Sequence, residues 1–459
     1  MRTRQLLEGR MAASIDRQLE RMAEVGAADR RNGCYPHRRS GCIERFETRR
    51  YTRPGQAMPT TLPGSGKAVR VRDQSFPTHG GDFMNIDTVE CALFRLPVPE
   101  NVADSAHGAL PCFELVCAKV RDRGGTTGLG CTYTLGRGGS AILAMLRDDL
   151  TPLLLGQDAD AIERLWEVMW RQTHYVGRGG IAAYAMSVVD LALWDLKARR
   201  SKLPLWRLLG GYDPRVPAYG SGTNLLFSRD DLLAQMQGFL QRGLRAVKMK
   251  VGRPSLEEDL DRVASVREAI GSGVSLMVDA NMQWDVATAV RAARELRRLD
   301  VAWLEEPIDP DDLPGHVRVI REGGLPVSAG ENYHTVHEFE RVLAIGGLSV
   351  AAVDVCNVGG VTPFLKVAAL AAAHHVPVTV HGIEEPHLHL LAAIPNRSLL
   401  MTGMLNGALE PFRSRRLEIS DGCVVAPDTP GHGLELDWDR LAPYSAEGGI
   451  LPGGLFHAK

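Results

Sequence analysis

The chain has 459 residues, 44% hydrophobic and 24% charged, with 53 Lys and Arg against 55 Asp and Glu for a formal charge of −2. That length exceeds one ordinary domain and that composition can bury a core, so wholesale disorder is excluded. The balanced charge gives no global case for nucleic acid or an anionic membrane as partner, and the longest apolar run, Val367 to Ala373, is far below the roughly 18 residues of a membrane span.

Residues 1–83 carry sixteen Arg and Lys against nine Asp and Glu, and the remainder 37 against 46. Arg pairs (Arg30-Arg31, Arg38-Arg39, Arg49-Arg50) and a Pro/Gly/Thr stretch from Pro54 to Gly66 leave little periodicity beyond a helix over Ile15 to Val25. There is no apolar run of the kind a secretory signal needs. An RNA-binding arm is the sharper alternative, and a solvated, disordered extension ahead of a start near Met84 is the expected one. Eight cysteines with no C-x-x-C pair indicate neither a zinc ribbon nor a disulfide framework, and a reducing cytoplasm fits best.

From Met84 the texture becomes strand-like: Ile86 to Leu96, Cys112 to Val120 and Thr127 to Thr134 alternate between turn signals and predict an antiparallel three-stranded sheet. Ala141 to Leu155, Ala159 to Thr173 and Ala182 to Arg199 have apolar residues at helical spacing, so an α+β unit is expected over 84–215. Short β-rich runs then begin near Ala246, Leu276, Ala302, Val327, Ala351 and Pro377, at intervals of 30, 26, 25, 24 and 26 residues, separated by amphipathic segments such as Leu256 to Ile270 and Val286 to Leu299. A near-constant strand–helix period means βα units in a parallel sheet, and six in succession favour a closed barrel. Val216 to Gly222 and Leu399 to Met404 supply the first and last strands, which bounds the barrel at 216–404 and leaves 405–459 as a C-terminal segment. A doubly wound sheet would call for a G-x-G-x-x-G after a strand, and none exists.

The C-terminal ends of these runs carry, in order, Lys248 and Lys250, Asp279 and Asn281, Glu305 and Glu306, Glu331, Asp354, and His381. Residues two apart in a strand share a face, so both lysines point into the barrel mouth, and Glu305, with Trp303, faces opposite to Glu306. Lone Lys248, Lys250 or His381 would more often be a satisfied structural residue. A run of polar strand ends is costly to bury for structure alone, however. Three acids on consecutive strands repel unless a cation lies between them, and oxygen ligands from Asp279, Glu305 and Glu331 suit Mg²⁺ or Mn²⁺. The dense stretch His381-Gly-Ile-Glu384-Glu385-Pro-His387-Leu-His389 matches neither H-E-x-x-H nor H-x-x-E-H, which argues against zinc and places His387 and His389 at the start of a helix.

The K-x-K of VKMKVG, the D-x-N-x-x-W from Asp279 to Trp284, WLEEP, SAGEN, DVCNVGG and the His381 strand resemble the mandelate racemase subgroup of the enolase superfamily, over nearly everything from Met84 to about Asp437. The stretch ALWDLKARRSKLPLWRLLGG near 192–211 is similar to that family's last capping-domain helix. The resemblance implies an α+β capping domain on a (β/α)₇β TIM-like barrel, with the C-terminal segment completing the cap. It also implies a homo-oligomer and abstraction of the proton α to a carboxylate through an enediolate. Carried over, Asp279, Glu305 and Glu331 become Mg²⁺ ligands, Lys250 a base tuned by Lys248, and His381 with Asp354 the dyad on the opposite face.

The chemistry asks for these residue types independently. The metal and nearby cations stabilise the forming dianion, and a lysine becomes a base when like-charge repulsion lowers its pKa. One position departs from the pattern: Met401 stands where the racemase has a carboxylate-side glutamate, and neither Thr402 nor Met404 is an acid, so Glu384 or Glu385 is left to substitute from the seventh loop. Substrate contacts are expected from loops near Asn101 to Leu110 and Leu135 to Ser140, with Asn281, Glu384, Tyr175 and Arg178 as further candidates. The expected activity is an acid-sugar (aldonate or aldarate) dehydratase giving a 2-keto-3-deoxy acid. Its alternatives are a racemase, epimerase or cycloisomerase, and, outside catalysis, a binding protein that would have lost a base or ligand.

Overall fold

The computed structural model describes residues 84–99 and 101–446, so the basic extension expected over 1–83 and the last part of the C-terminal segment lie outside the described residues. The first sheet has strands β1 (Ile86–Leu96), β2 (Phe113–Asp122) and β3 (Thr127–Thr134), antiparallel in that order. Its tight turn is held by Asp122, whose side chain accepts from Thr126 N at 2.8 Å.

Helices α1 (Ile162–Thr173) and α2 (Ile181–Arg200) follow, and α2 lies so close to β3 that a Cβ on Gly130 would come 1.9 Å from Val188 O. The helix expected from Ala141 to Leu155 is present as one continuous run over 139–154. It runs as a short α-turn, a π-helical turn over Met145–Leu150, and a second α-turn over Thr151–Leu154. Pro152 sits at the start of the last α-turn, where it has no N–H to donate back into the π-helical turn.

The larger sheet is the barrel. Parallel strands β4 (Arg215–Ser221), β5 (Ala246–Lys250), β6 (Ser275–Asp279), β7 (Val301–Glu305), β8 (Val327–Ala329), β9 (Val350–Val353) and β10 (Val378–Val380) pair in sequence order. Closure comes from β11 (Leu400–Thr402), which pairs with β4 through Met401 and Tyr219, while Val378 bonds Asn396 O at 2.8 Å and Ser398 N bonds Val378 O at 2.6 Å. Seven helices connect these eight strands, α3 (Arg229–Gln241), α4 (Leu256–Ile270), α5 (Val286–Arg298), α6 (Leu313–Arg318), α7 (Val336–Ala344), α8 (Val361–Ala373) and α9 (Glu384–Ala393), giving a (β/α)₇β TIM-like barrel with an α+β cap.

Local chemistry starts the helices where the sequence changes period. Ser228, Ser255, Asp285, Asp312 and Thr335 are N-caps whose side chains accept the backbone N–H three residues on. The chain after the barrel returns to both layers. The strand Cys423–Val425 pairs antiparallel with β4, His432 Nε2 lies 2.6 Å from Leu129 O, and Trp438 meets Phe94 at 6.2 Å between ring centroids. Among the described residues no helix is long and apolar enough to cross a membrane.

Candidate active site

All eight parallel strands end at one rim, and their pleat decides which side chains reach it. In β5, Met249 joins the core while Lys248 and Lys250 turn into the barrel mouth, both buried. Lys248 Nζ contacts Glu305 Oε1 and lies 3.1 Å from Asp279 Oδ2, and Lys250 Nζ donates to that same Asp279 oxygen at 2.6 Å. Beneath them Trp303 Nε1 donates to Glu305 Oε2 at 3.1 Å and Trp303 meets the Tyr219 ring edge-on at 5.8 Å, so the floor is aromatic and fixes one carboxylate. Glu306 follows the strand with φ 40 and faces elsewhere, accepting Asn332 Nδ2 at 2.7 Å.

Asp279, Glu305 and Glu331 each offer an oxygen within 4.8 Å of the others. Glu331 Oε2 and Asn281 Oδ1 are buried with no hydrogen-bond partner. Three converging carboxylates, one of them with an unpartnered buried oxygen, fit a hard divalent cation.

Across the mouth, His381 Nδ1 lies 3.1 Å from Asp354 Oδ2 and its Nε2 lies 3.5 Å from Glu331 Oε2. The other Asp354 oxygen accepts Cys356 N at 2.8 Å. His387 and His389 lie in α9 and accept backbone N–H groups, His387 Nε2 from Val355 at 2.8 Å and His389 Nδ1 from Trp206 at 3.2 Å.

The electrostatics follow from these distances. Burial raises the Asp279 carboxyl, but Lys250 and Lys248 outweigh it and hold the group below the usual carboxylate range. Burial lowers Lys250 and Lys248 repels it, yet Asp279 keeps it above the ordinary lysine value. Repulsion from Lys248, expected from the sequence to lower Lys250, acts in that direction, and Asp279, 2.6 Å away, opposes it. Against burial, Glu331 and Asp354 raise His381, and the bond from His381 helps hold Asp354 low.

Two cavities meet here. A small inner one of about 40 Å³ is lined by Lys248, Lys250, Asn281, Glu331, His381 and Met401 among others, and an outer one of about 530 Å³ opens beyond it. His107, Leu135, Glu331 and His381 line both. Residues 106–111 and 133–138 reach the cavities from the cap, within or beside the two loops expected from sequence.

Three candidates lie elsewhere. Glu384 is buried against Arg413 and accepts Gly403 N at 3.0 Å, so an internal ion pair occupies it. Tyr175, 92% exposed, and Arg178, also exposed, sit on the surface run between α1 and α2, which lines neither cavity; Ile181 and Tyr184 of α2 line the outer one. Sequence reading also missed Tyr133, whose hydroxyl lies 2.5 Å from Asp354 Oδ2, and the Asp104–His107 pair, 3.1 Å apart at the junction of the cavities. An Asp three residues before a His in a loop already marked for substrate was the available signal for that pair, and Tyr133 had none.

Comparison with known proteins agrees with this architecture. Residues 90–210 match the mandelate racemase/muconate lactonizing enzyme N-terminal domain, and 231–440 match the enolase C-terminal domain-like family. A 3,6-anhydro-alpha-L-galactonate cycloisomerase of Streptomyces coelicolor is 48% identical over 78% of this chain and 98% of its own. An L-talarate/galactarate dehydratase of Salmonella typhimurium is 34% identical over 78% and 91%. The crystal structure of a racemase from Streptomyces coelicolor with bound magnesium superposes with a TM-score of 0.76 at 47% identity, covering 78% of this chain and 99% of that one. The chain therefore belongs to the mandelate racemase/muconate lactonizing enzyme family of the enolase superfamily.

Proposed function

We propose that this protein is a Mg²⁺-dependent cycloisomerase of an anhydro sugar acid of the 3,6-anhydrogalactonate type, with Mn²⁺ as the alternative cation. The observation that carries the reading is the inner cavity, where Lys248 and Lys250 from β5 and His381 from β10 face one space beside the three carboxylates. Asp279, Glu305 and Glu331 would hold the cation, which when bound supplies positive charge to the substrate carboxylate and competes with Lys250 for the Asp279 oxygen.

The chain's own groups do the rest. Lys250 accepts the α-proton, Lys248 keeps a second positive charge beside the carboxylate, and His381, oriented by Asp354, gives a proton to the departing β-oxygen. In a 3,6-anhydro acid that oxygen, on C3, is the ring ether. Its departure opens the ring and no water is lost. In an aldarate it is a hydroxyl and the same steps dehydrate.

The anhydro acid is favoured by the cycloisomerase relative at 48% identity, against 34% for the dehydratase. The dehydratase reading, supported by that second relative, remains the alternative outcome of the test. Racemisation is disfavoured because Met401 brings a thioether, with no proton to donate, to the inner cavity.

Incubation with Mg²⁺ and 3,6-anhydro-L-galactonate, or with galactarate and talarate, followed by semicarbazide trapping and mass measurement, tests the reading. A 2-oxo acid of unchanged mass from the anhydro acid is expected. A product that has lost water, formed only from the aldarates, would replace the reading with the dehydratase, and inverted substrate with no 2-oxo acid would overturn both.

A further inference from the structure

We propose that Tyr133 is a positioning residue for His381: its hydroxyl, supplied by the cap, bonds both Asp354 and His381 and fixes the imidazole in the plane that faces the substrate. The proposal rests on the reading that His381 exchanges a proton with substrate, and it adds to that pair a third member from another layer of the fold.

Tyr133 is near the end of β3, buried, with its ring stacked on Phe113 at 5.5 Å and 21°. The hydroxyl donates to Asp354 Oδ2 at 2.5 Å and lies 2.9 Å from His381 Nδ1, so Nδ1, Oδ2 and the phenol oxygen form a triangle. A single carboxylate contact leaves an imidazole free to swing about it. Two oxygens on one ring nitrogen define a plane and commit Nδ1–H to it, which leaves Nε2 for the mouth.

The surroundings show that the triangle is built from both sides. Asp354 Oδ1 is occupied by Cys356 N, and a Cβ on Gly382, at φ 103, would fall 2.6 Å from Asp354 Oδ2, so the residue after His381 has to be glycine for the aspartate to stand there. Two further cap hydroxyls grip the same loop, Ser187 Oγ donating to Cys356 O at 2.7 Å and Thr132 Oγ1 at 3.2 Å. The cap therefore holds the aspartate's loop by its backbone and the aspartate's side chain by Tyr133.

Tyr133→Phe keeps the ring on Phe113 and removes only the hydroxyl. Because β5 and β10 present Lys250 and His381 from separate sides of the mouth, the two C2 epimers of the anhydro acid direct their α-hydrogens at different groups. Wild type and Tyr133→Phe are compared for exchange of the α-hydrogen into recovered, unconverted substrate of each epimer in D₂O with Mg²⁺, a readout that does not need His381 as the acid of ring opening. Alongside, the His381 ring resonances are followed in ¹⁵N-histidine-labelled protein and assigned by their disappearance in His381→Gln. The epimer facing His381 should slow on the order of tenfold or more and the other by less than about twofold, with a displaced Nδ1 resonance. Equal slowing of both epimers, or no slowing of either, would overturn the proposal. If neither epimer exchanges in wild type, the functional reading has failed, and the resonances alone decide: displaced in Tyr133→Phe they uphold the positioning role, unchanged they reject it.

Discussion

At the scale of single residues the three carboxylates are not equivalent. Glu331 Oε2 has no hydrogen-bond partner, whereas Asp279 balances two buried ammonium groups. Glu331→Gln should therefore reduce turnover at least about a hundredfold while changing stability by less than about 1 kcal/mol. Asp279→Asn should abolish turnover and also cost about 3–5 kcal/mol, because it strands buried positive charge. Mg²⁺-dependent rates and denaturant melts on both variants check the contrast.

A different buried acid sets a pH dependence. Asp190, bonded to Thr362 N and Oγ1, is pushed up by burial to about 7 from 3.8. The folded state then binds a proton that the unfolded state releases, so its contribution to stability is present at low pH and fades as pH rises from about 4 to 7. Asp190→Asn should flatten that decline in a melting-temperature series.

The residues legible in the sequence were those at strand ends, where pleating alone fixes direction: Lys248, Lys250, Asp279, Glu305 and His381. Glu384 misled because its partner Arg413 lies 29 residues further on, and Tyr133 stayed invisible because Asp354 is 221 residues away.

Secondary-structure elements were read well where period and caps agreed. Helix α4 spans the residues its apolar spacing marks, with Ser255 as cap, and the barrel strands begin close to the expected positions. The stretch at 139–154 was read as a helix and is one; apolar spacing did not show that its middle turn is π-helical. Sequence also does not show how close two elements come, and β3 and α2 depend on it. Gly130 leaves no room for a side chain, and what a Cβ would strike is the backbone of Val188. Gly130→Ala should therefore cost stability at or above the upper end of the roughly 1–3 kcal/mol typical of overpacking, read from the denaturation midpoint. A melt within error of wild type would mean that α2 can shift outward.

For the whole molecule, the C-terminal segment ties the cap to the barrel, and one arginine anchors its start. Arg413, buried, pairs with Glu384 and with Glu385 at 2.7 Å, both at the first turn of α9, and with Glu410 at 2.7 Å. Arg413→Met would leave two buried carboxylates facing each other and should cost about 3–5 kcal/mol, seen as an earlier unfolding transition, with activity retained in the fraction that stays folded. The architecture itself was legible because a barrel announces itself by its period. The segment that returns to the cap carries no period and was placed only through the family resemblance.

The central claim is that this site removes a proton α to a carboxylate with a divalent metal. It is tested most directly by following a C2-deuterated anhydro sugar acid in ordinary water with Mg²⁺, with EDTA, and with Glu331→Gln. Deuterium should be lost from C2 with Mg²⁺ and retained in the other two. Turnover that persists in EDTA, or a 2-oxo product that carries the whole deuterium label at C3 instead of releasing it to water, would contradict the claim.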